Sequence, residues 1–374
     1  MILAIDASRC RSGGSINHLL GILEHFNPKV HDISEIHIWT YNKLLFQLPD
    51  RKWLIKHKSV YLNKNLIFQI FWQYFILKFE ILKNNCDFLF TADASTVCNY
   101  KKQIVLSQDL LSYEPGIINK FSYGYSRLRL YLIRLIQNKA FQNAIGVIFL
   151  TNYTSNLIQS SCGILNKIKI IPHGFNPIFS TINKLPCWEN EILCTYISNT
   201  EFYKHQWVVV EAIEKLRKKN YNIIINLIGG GNGKAQLKLN KQINISDPNK
   251  NFVNQFNFLT HDEIIILLKK SDIFVFASSC ETFGITLLEG MATGLPIVCS
   301  NRSSLPEVLL DGGEYFDPED SDSIANKIEL LINNKNYANE LSEKAKKIST
   351  RYSWERCSTE TFSFIRDCYI ESIR

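Results

Sequence analysis

The chain has 374 residues, 46% of them hydrophobic and 21% charged, with a net charge of +7. That length accommodates two domains of ordinary size, and the composition excludes a disordered or low-complexity chain. The positive charge is dispersed; it suits nucleotide phosphates or an anionic membrane surface, or serves solubility alone, and without a groove-reading motif it excludes a nucleic-acid reader. Ten scattered cysteines with no Cys-x-x-Cys spacing argue against a zinc site and against a disulfide framework. Met1 to Asp6 enters a strand directly, with no basic or cleavable leader, so a cytoplasmic chain with reduced thiols is expected. No apolar stretch approaches the ~18–20 residues of a spanning helix.

Ile2 to Ile5 reads as a buried strand. Arg11-Ser12-Gly13-Gly14-Ser15 is a turn into a helix whose inner face carries Ile16, Leu19, Leu20, Leu23 and Phe26. The turn either offers backbone N–H groups at a strand's carboxyl end or is a tight turn needing no ligand; a third spaced glycine is absent. Ile36 to Trp39 is the next strand. Leu66 to Leu82 reads as one helix, apolar over most of its circumference and interrupted by Gln69, Gln73, Lys78 and Glu80, hence buried or interfacial rather than spanning. Phe88 to Phe90 and Ile104 to Leu106 read as buried strands, the second running into Ser107-Gln108-Asp109. Phe121 to Phe141 interleaves Tyr123, Tyr125 and Tyr131 with Arg127, Arg129, Arg134 and Lys139. It is either a core-packed helix with a solvated basic face or a surface for a membrane.

Val147 to Leu150, a helix from Asn152 to Ser160, and Lys169 to Ile171 complete this first series. Between Pro172 and Asn190 three prolines replace periodic apolar residues, which marks a linker. A second series of strand–helix units follows: strand Ile192 to Ser198, helix Trp207 to Lys218, and strand Ile223 to Ile228 ending in Gly229-Gly230-Gly231. A short strand within Phe252 to Phe258, a helix from Asp262 to Lys270 and a strand from Ile273 to Ala277 come next. After Ile297 to Cys299, amphipathic helices span Ser321 to Ile332 and Tyr337 to Ile348.

The stretch Ser278 to Val298 organises the second half. Small polar residues, Gly284, a helix and a strand make a βαβ unit whose helix opens at a strand's carboxyl end, where α/β sheets bind ligands and a helix N-terminus favours an anion. Glu281 lies before that helix and Glu289 on its second turn, about 12 Å further along by helical rise. They are too far apart to share a proton. Either they flank a phosphate-sized gap for a ligand with hydroxyls at both ends, or they are a loop and a solvated helix glutamate. Lys204, ahead of the Trp207 helix, either adds a full charge for a diphosphate or is solvent-exposed.

Together these residues resemble glycosyltransferase family 4, retaining enzymes with the GT-B fold. The similarity lies in Glu281-Thr282-Phe283-Gly284, Glu289, Met291-Ala292 and Gly294-Leu295-Pro296. It continues through Leu305-Pro306-Glu307-Val308, Gly312-Gly313 and Tyr315-Phe316-Asp317-Pro318. Ile171 to Phe175 resembles the family's interdomain segment, and Tyr203-Lys204-His205-Gln206 its donor-phosphate turn. The resemblance is strong over Ile192 to Ile332 and weak over the first half.

It implies an α/β chain of two Rossmann-like domains facing across a cleft. The first, residues 1–176, would bind acceptor, and 191–352 would bind nucleotide-sugar. Residues 177–190 would link them, and 353–374 would form a helix packing back on the first domain. Glu281 would touch hydroxyls of the transferred sugar, Glu289 the ribose, and Lys204 the diphosphate. Backbone N–H groups at Thr282, Phe283, Gly284 and Ile285 would assist, with Gly230 from the glycine run. Gly14 would face the phosphate from the first domain. No metal and no resident cofactor are implied, the nucleoside-diphosphate sugar being a substrate.

Two departures stand out. Asn199 occupies the place of a common arginine, for which Arg302 or His205 would compensate. Gln108-Asp109 stands where many members carry a histidine, which makes Asp109 the catalytic candidate there; His173 is read as an interdomain structural residue. The expected activity is transfer of a sugar to a saccharide acceptor, lipid-linked or free, with peripheral contact at the inner membrane. The alternatives are a GT-B nucleotide-sugar epimerase and a non-catalytic nucleotide-sugar-binding subunit.

Overall fold

Short buried runs rich in Ile, Val, Leu and Phe alternate with helices, a pattern that leads to parallel sheets covered on both faces. The structure, a computed structural model, describes residues 1–121, 124–182 and 191–373. The chain divides into two compact units: residues 1–174 with 352–374, and residues 175–351. Of the expected linker, 183–190 lie outside the described residues, as do Tyr123 and Cys187.

Unit 1 holds seven parallel strands: β1 (Ile2–Asp6), β2 (Glu35–Trp39), β3 (Leu54–His57), β4 (Phe88–Thr91), β5 (Gln103–Leu106), β6 (Gly146–Phe149) and β7 (Ile168–Ile170). Their order is β3-β2-β1-β4-β5-β6-β7. Unit 2 repeats the scheme with β8 (Ile192–Ile197), β9 (Ile223–Ile228), β10 (Val253–Phe256), β11 (Ile273–Phe276), β12 (Ile297–Ser300) and β13 (Glu314–Phe316), ordered β10-β9-β8-β11-β12-β13. In each sheet the order reverses beside the first strand, between β1 and β4 and between β8 and β11. That switch point opens a crevice at the strands' carboxyl ends.

The last helix, Trp354–Ile373, belongs to unit 1 and packs on the helix Gly13–Glu24. Close approach at Trp354 fixes two glycines: a Cβ on Gly21 would lie 2.3 Å from the indole, and one on Gly174 would lie 2.1 Å from the Trp354 nitrogen. Between them His18 Nδ1 and His173 Nδ1 share a buried hydrogen bond of 2.9 Å, and burial pushes the His18 imidazole down to about 3.

The structure corrects one expectation and refines a second. The helix of unit 1 begins at Gly13, capped by Ser12, so Gly14 sits exposed in its first turn rather than in a preceding loop. Leu66 to Leu82 is helical but passes through a π-helical segment at Trp72–Ile76, and two of its four polar interruptions face inward. Gln69 and Gln73 are buried while Ile67, Phe71, Phe75 and Phe79 are exposed. Trp72, Leu77 and Ile81 supply the inner apolar face.

Candidate active site

Two loops meet at the switch point of unit 2. After β8 the chain turns through Ser198-Asn199-Thr200, makes a 3-10 turn at Phe202–Lys204, and enters the helix Gln206–Lys218 through His205 at φ 48°. After β11 it runs through Ser278 to Gly284 into the helix Ile285–Thr293. Three contacts tie the loops. The Ser279 N–H donates to the Tyr203 carbonyl at 2.8 Å. His205 Nε2 and Ser279 Oγ share a hydrogen bond of 2.8 Å. Lys204 Nζ forms an ion pair with Glu281 Oε1, with only 9% and 17% of the two side chains exposed.

Lys204 is held from several sides. The Tyr196 hydroxyl donates to its carbonyl at 2.7 Å, and its ammonium lies 5.2 Å from the Tyr203 ring centre and 5.5 Å from that of Phe276. Glu281 is fixed through its backbone: its N–H donates to Ser303 Oγ at 3.0 Å, and the Ser303 and Ser304 hydroxyls donate to its carbonyl at 2.9 and 2.8 Å. A lysine and a glutamate separated by 77 residues are thus brought together by strand order.

Gly284 opens the next helix at φ 90°, and no side chain caps it. The first-turn N–H groups of such a helix form an anion site with a partial positive charge. Glu289 is buried rather than solvated, and among the described residues its carboxylate has no hydrogen-bond or ion-pair partner. Burial alone pushes it up to about 8. A buried acceptor in that state gains from any ligand hydroxyl that reaches it.

The glycine run has a packing role. At Gly229, φ 127°, a Cβ would lie 2.5 Å from the Ser198 carbonyl oxygen, and at Gly231 one would lie 2.7 Å from Thr200 Cβ. The Thr200 N–H donates to the Gly230 carbonyl at 2.7 Å. Beside this contact opens a pocket of about 320 Å³, lined by apolar Leu227, Leu239 and Phe256 and by neutral polar groups of Gln206, Gln236 and Asn257. Neither Lys204 nor Glu281 lines it. Asn199 is exposed on the β8 loop. Neither proposed substitute for its missing charge is unengaged: Arg302 Nη2 donates to Asp317 at 2.8 Å, and His205 is bound to Ser279.

In unit 1, Asp109 follows β5 and accepts from the Leu111 N–H at 3.0 Å. Burial raises its carboxyl above the usual range. Sequence reading missed its neighbour Asp93, which follows β4 as Asp109 follows β5. Burial, with the Asp109 charge adding, pushes Asp93 up to about 6. Asp6, at the end of β1, accepts from Gln73 Nε2 at 2.8 Å, while Gln73 Oε1 has no partner among the described residues. Among the described residues no group of three or more His, Cys, Asp or Glu is arranged to hold a metal ion, and the nine described cysteines are buried.

The profile of the family Glycosyl transferases group 1 matches residues 180–348. The O-antigen chain mannosyltransferase B of Escherichia coli is 31% identical over 112 residues, 30% of this chain and 29% of that protein. The chain spans between 29% and 57% of the length of the first curated relatives it matches. Solved structures align along its whole length at low identity. Sucrose-phosphate synthase from Thermosynechococcus elongatus superposes with a TM-score of 0.78 at 14% identity, covering 99% of this chain and 100% of that one. Anabaena HepE, solved with UDP-glucose, gives 0.70 at 16%, covering 100% and 99%. Residues 180–348 are therefore similar to the Glycosyl transferases group 1 family, in a chain that has the GT-B fold of these solved structures.

Proposed function

We propose that the chain is a retaining glycosyltransferase that moves a sugar from a nucleoside-diphosphate sugar to a saccharide acceptor of a surface polysaccharide. The observation that carries this reading is the buried Lys204–Glu281 pair beside the uncapped helix at Gly284. An ammonium has three N–H donors, so Lys204 can keep Glu281 and still donate to a diphosphate. Together with the first-turn N–H groups after Gly284 it stabilises the charge that grows on the leaving nucleotide, without a metal. Glu281, held against Lys204, accepts from hydroxyls of the transferred sugar, and Glu289 accepts from the ribose.

The amide-lined pocket at Gly230 suits a nucleobase, because carboxamides both donate and accept. On the acceptor side the candidate is Asp109, with Asp93 beside it. The donor is a substrate, and no resident cofactor is required. UDP-glucose bound to HepE and the mannosyltransferase name of the Escherichia coli relative support the substrate class. No helix among the described residues is long and apolar enough to cross a membrane. Peripheral contact with a lipid-linked acceptor at the cytoplasmic face is part of the proposed reading.

Purified protein incubated with nucleotide-sugars and lipid-linked or free saccharides should release nucleoside diphosphate only with acceptor present. Conversion of donor into an epimer without acceptor, or undiminished turnover in Glu281→Gln, would sink the reading.

A further inference from the structure

We propose that unit 1 docks on an anionic lipid surface through two helical stretches, 66–83 and 125–143, which share one face of its sheet. The first stretch is oriented against its composition. Gln73 is fully buried, donating to Asp6 at 2.8 Å and to Ser8 Oγ at 3.0 Å, while Ile67, Phe71, Tyr74, Phe75, Phe79 and Leu82 are exposed. Their spacing places them in an outward stripe over about four turns. The second stretch repeats the arrangement. Leu130, Gln137, Ala140 and Phe141 are buried, and Tyr125, Leu128, Leu132 and Leu135 form an exposed stripe.

Register shows that both stretches cover the same face. Ala4 pairs with Leu89, and both pack with Trp72, Leu77 and Ile81 of the first stretch. Neighbours in a parallel ladder share a face, as do alternate residues along a strand. Leu89 pairs with Gln103, Thr91 with Val105, and Val105 with Val147. The face therefore continues to Phe149, which packs against Phe141 of the second stretch with ring centres 5.8 Å apart. The opposite face is covered elsewhere: Phe88 meets Tyr369 of the last helix.

Charge selects the occupant. The stretch 125–143 carries Arg127, Arg129, Arg134 and Lys139 and no acid. Lys78 and Lys83 accompany the first stripe against Glu80 alone. A second copy of this face would oppose like charge to like charge. An anionic bilayer attracts it through these basic residues and receives Phe, Tyr and Leu at the headgroup level. This surface stands whether or not the chain transfers sugars.

Co-sedimentation of the full chain with vesicles tests it. Phosphatidylcholine–phosphatidylglycerol vesicles should pellet the protein at low salt, and phosphatidylcholine vesicles should pellet it far less. The variants Phe71→Ser/Phe75→Ser/Phe79→Ser and, separately, Leu128→Ser/Leu132→Ser should bind at least about tenfold more weakly, since each removes two or more exposed apolar groups that the bilayer would bury. These side chains are exposed, so an unchanged thermal midpoint is expected and is measured alongside. Wild type remaining in the supernatant with anionic vesicles, or undiminished binding by both variants, overturns the proposal. So does a wild-type dimer that the variants convert to monomer without any vesicle binding, which would assign the face to a second copy.

Discussion

The two units share a strand order and differ in what their switch points offer. The β8 and β11 ends present an ammonium and an uncapped helix start, both suited to an anion, with the glycine run at the end of neighbouring β9 packed against the β8 loop. The β1, β4 and β5 ends present Asp6, Asp93 and Asp109, with burial lifting all three carboxyls toward the neutral form. One topology thus serves opposite chemistries: the sheet fixes where side chains gather, and the loops decide which charge gathers there. Phosphate calls for donors, and a sugar hydroxyl calls for acceptors.

The sharpest break of this contrast is Lys204→Ala, which removes the cation and leaves Glu281 uncompensated. Turnover should fall by about 10²–10³, the cost of losing one donor to a developing anion. Steady-state nucleotide release, read beside a thermal midpoint, separates that loss from misfolding. Gly229→Ala tests the packing of the glycine run against Ser198. A Cβ 2.5 Å from a carbonyl oxygen at φ 127° should cost about 2–4 kcal/mol, read as a lowered denaturant midpoint with unchanged slope.

Glu289→Gln should weaken nucleotide diphosphate binding about tenfold, as measured by calorimetry. It carries a pH signature as well. Folding raises the Glu289 carboxyl from 4.5 to about 8, so its stabilising contribution is complete below the first value and is lost as pH rises through the second. Wild type should therefore lose thermal stability across that window relative to Glu289→Gln. The smallest effect belongs to Asp93→Asn. Asp93 rises from 3.8 to about 6, so wild type should lose stability across that lower window while the variant stays flatter. Equal slopes in variant and wild type would remove Asp93 from the acidic set.

The site in unit 2 was legible in sequence because each part is local. Glu281, Gly284 and Glu289 lie on one loop and helix, and Lys204 stands just before its own helix. That Lys204 and Glu281 pair was not legible, since it depends on β8 and β11 lying side by side. In unit 1 the failure has a physical cause. Gln69 and Gln73 read as interruptions of an apolar helix, whereas they point inward to satisfy Arg9 and Asp6 while the apolar majority faces out. Periodicity counts residue types and assumes apolar residues face the core; a helix with a second apolar face defeats it. β3 was missed as a short run with basic residues at Lys56 and His57, and the helix Lys234–Ser246 because Asn, Gln and Lys dominate it.

Unit 1 is discontinuous in the chain, since residues 352–374 complete it. The ribosome therefore finishes all of unit 2 before it delivers the helix that covers Gly13–Glu24. Until then Leu19, Ile22 and Leu23 lack part of their cover, and the Gly21 notch waits for Trp354. A truncation that removes residues 352–374 would strike the unit whose synthesis began first.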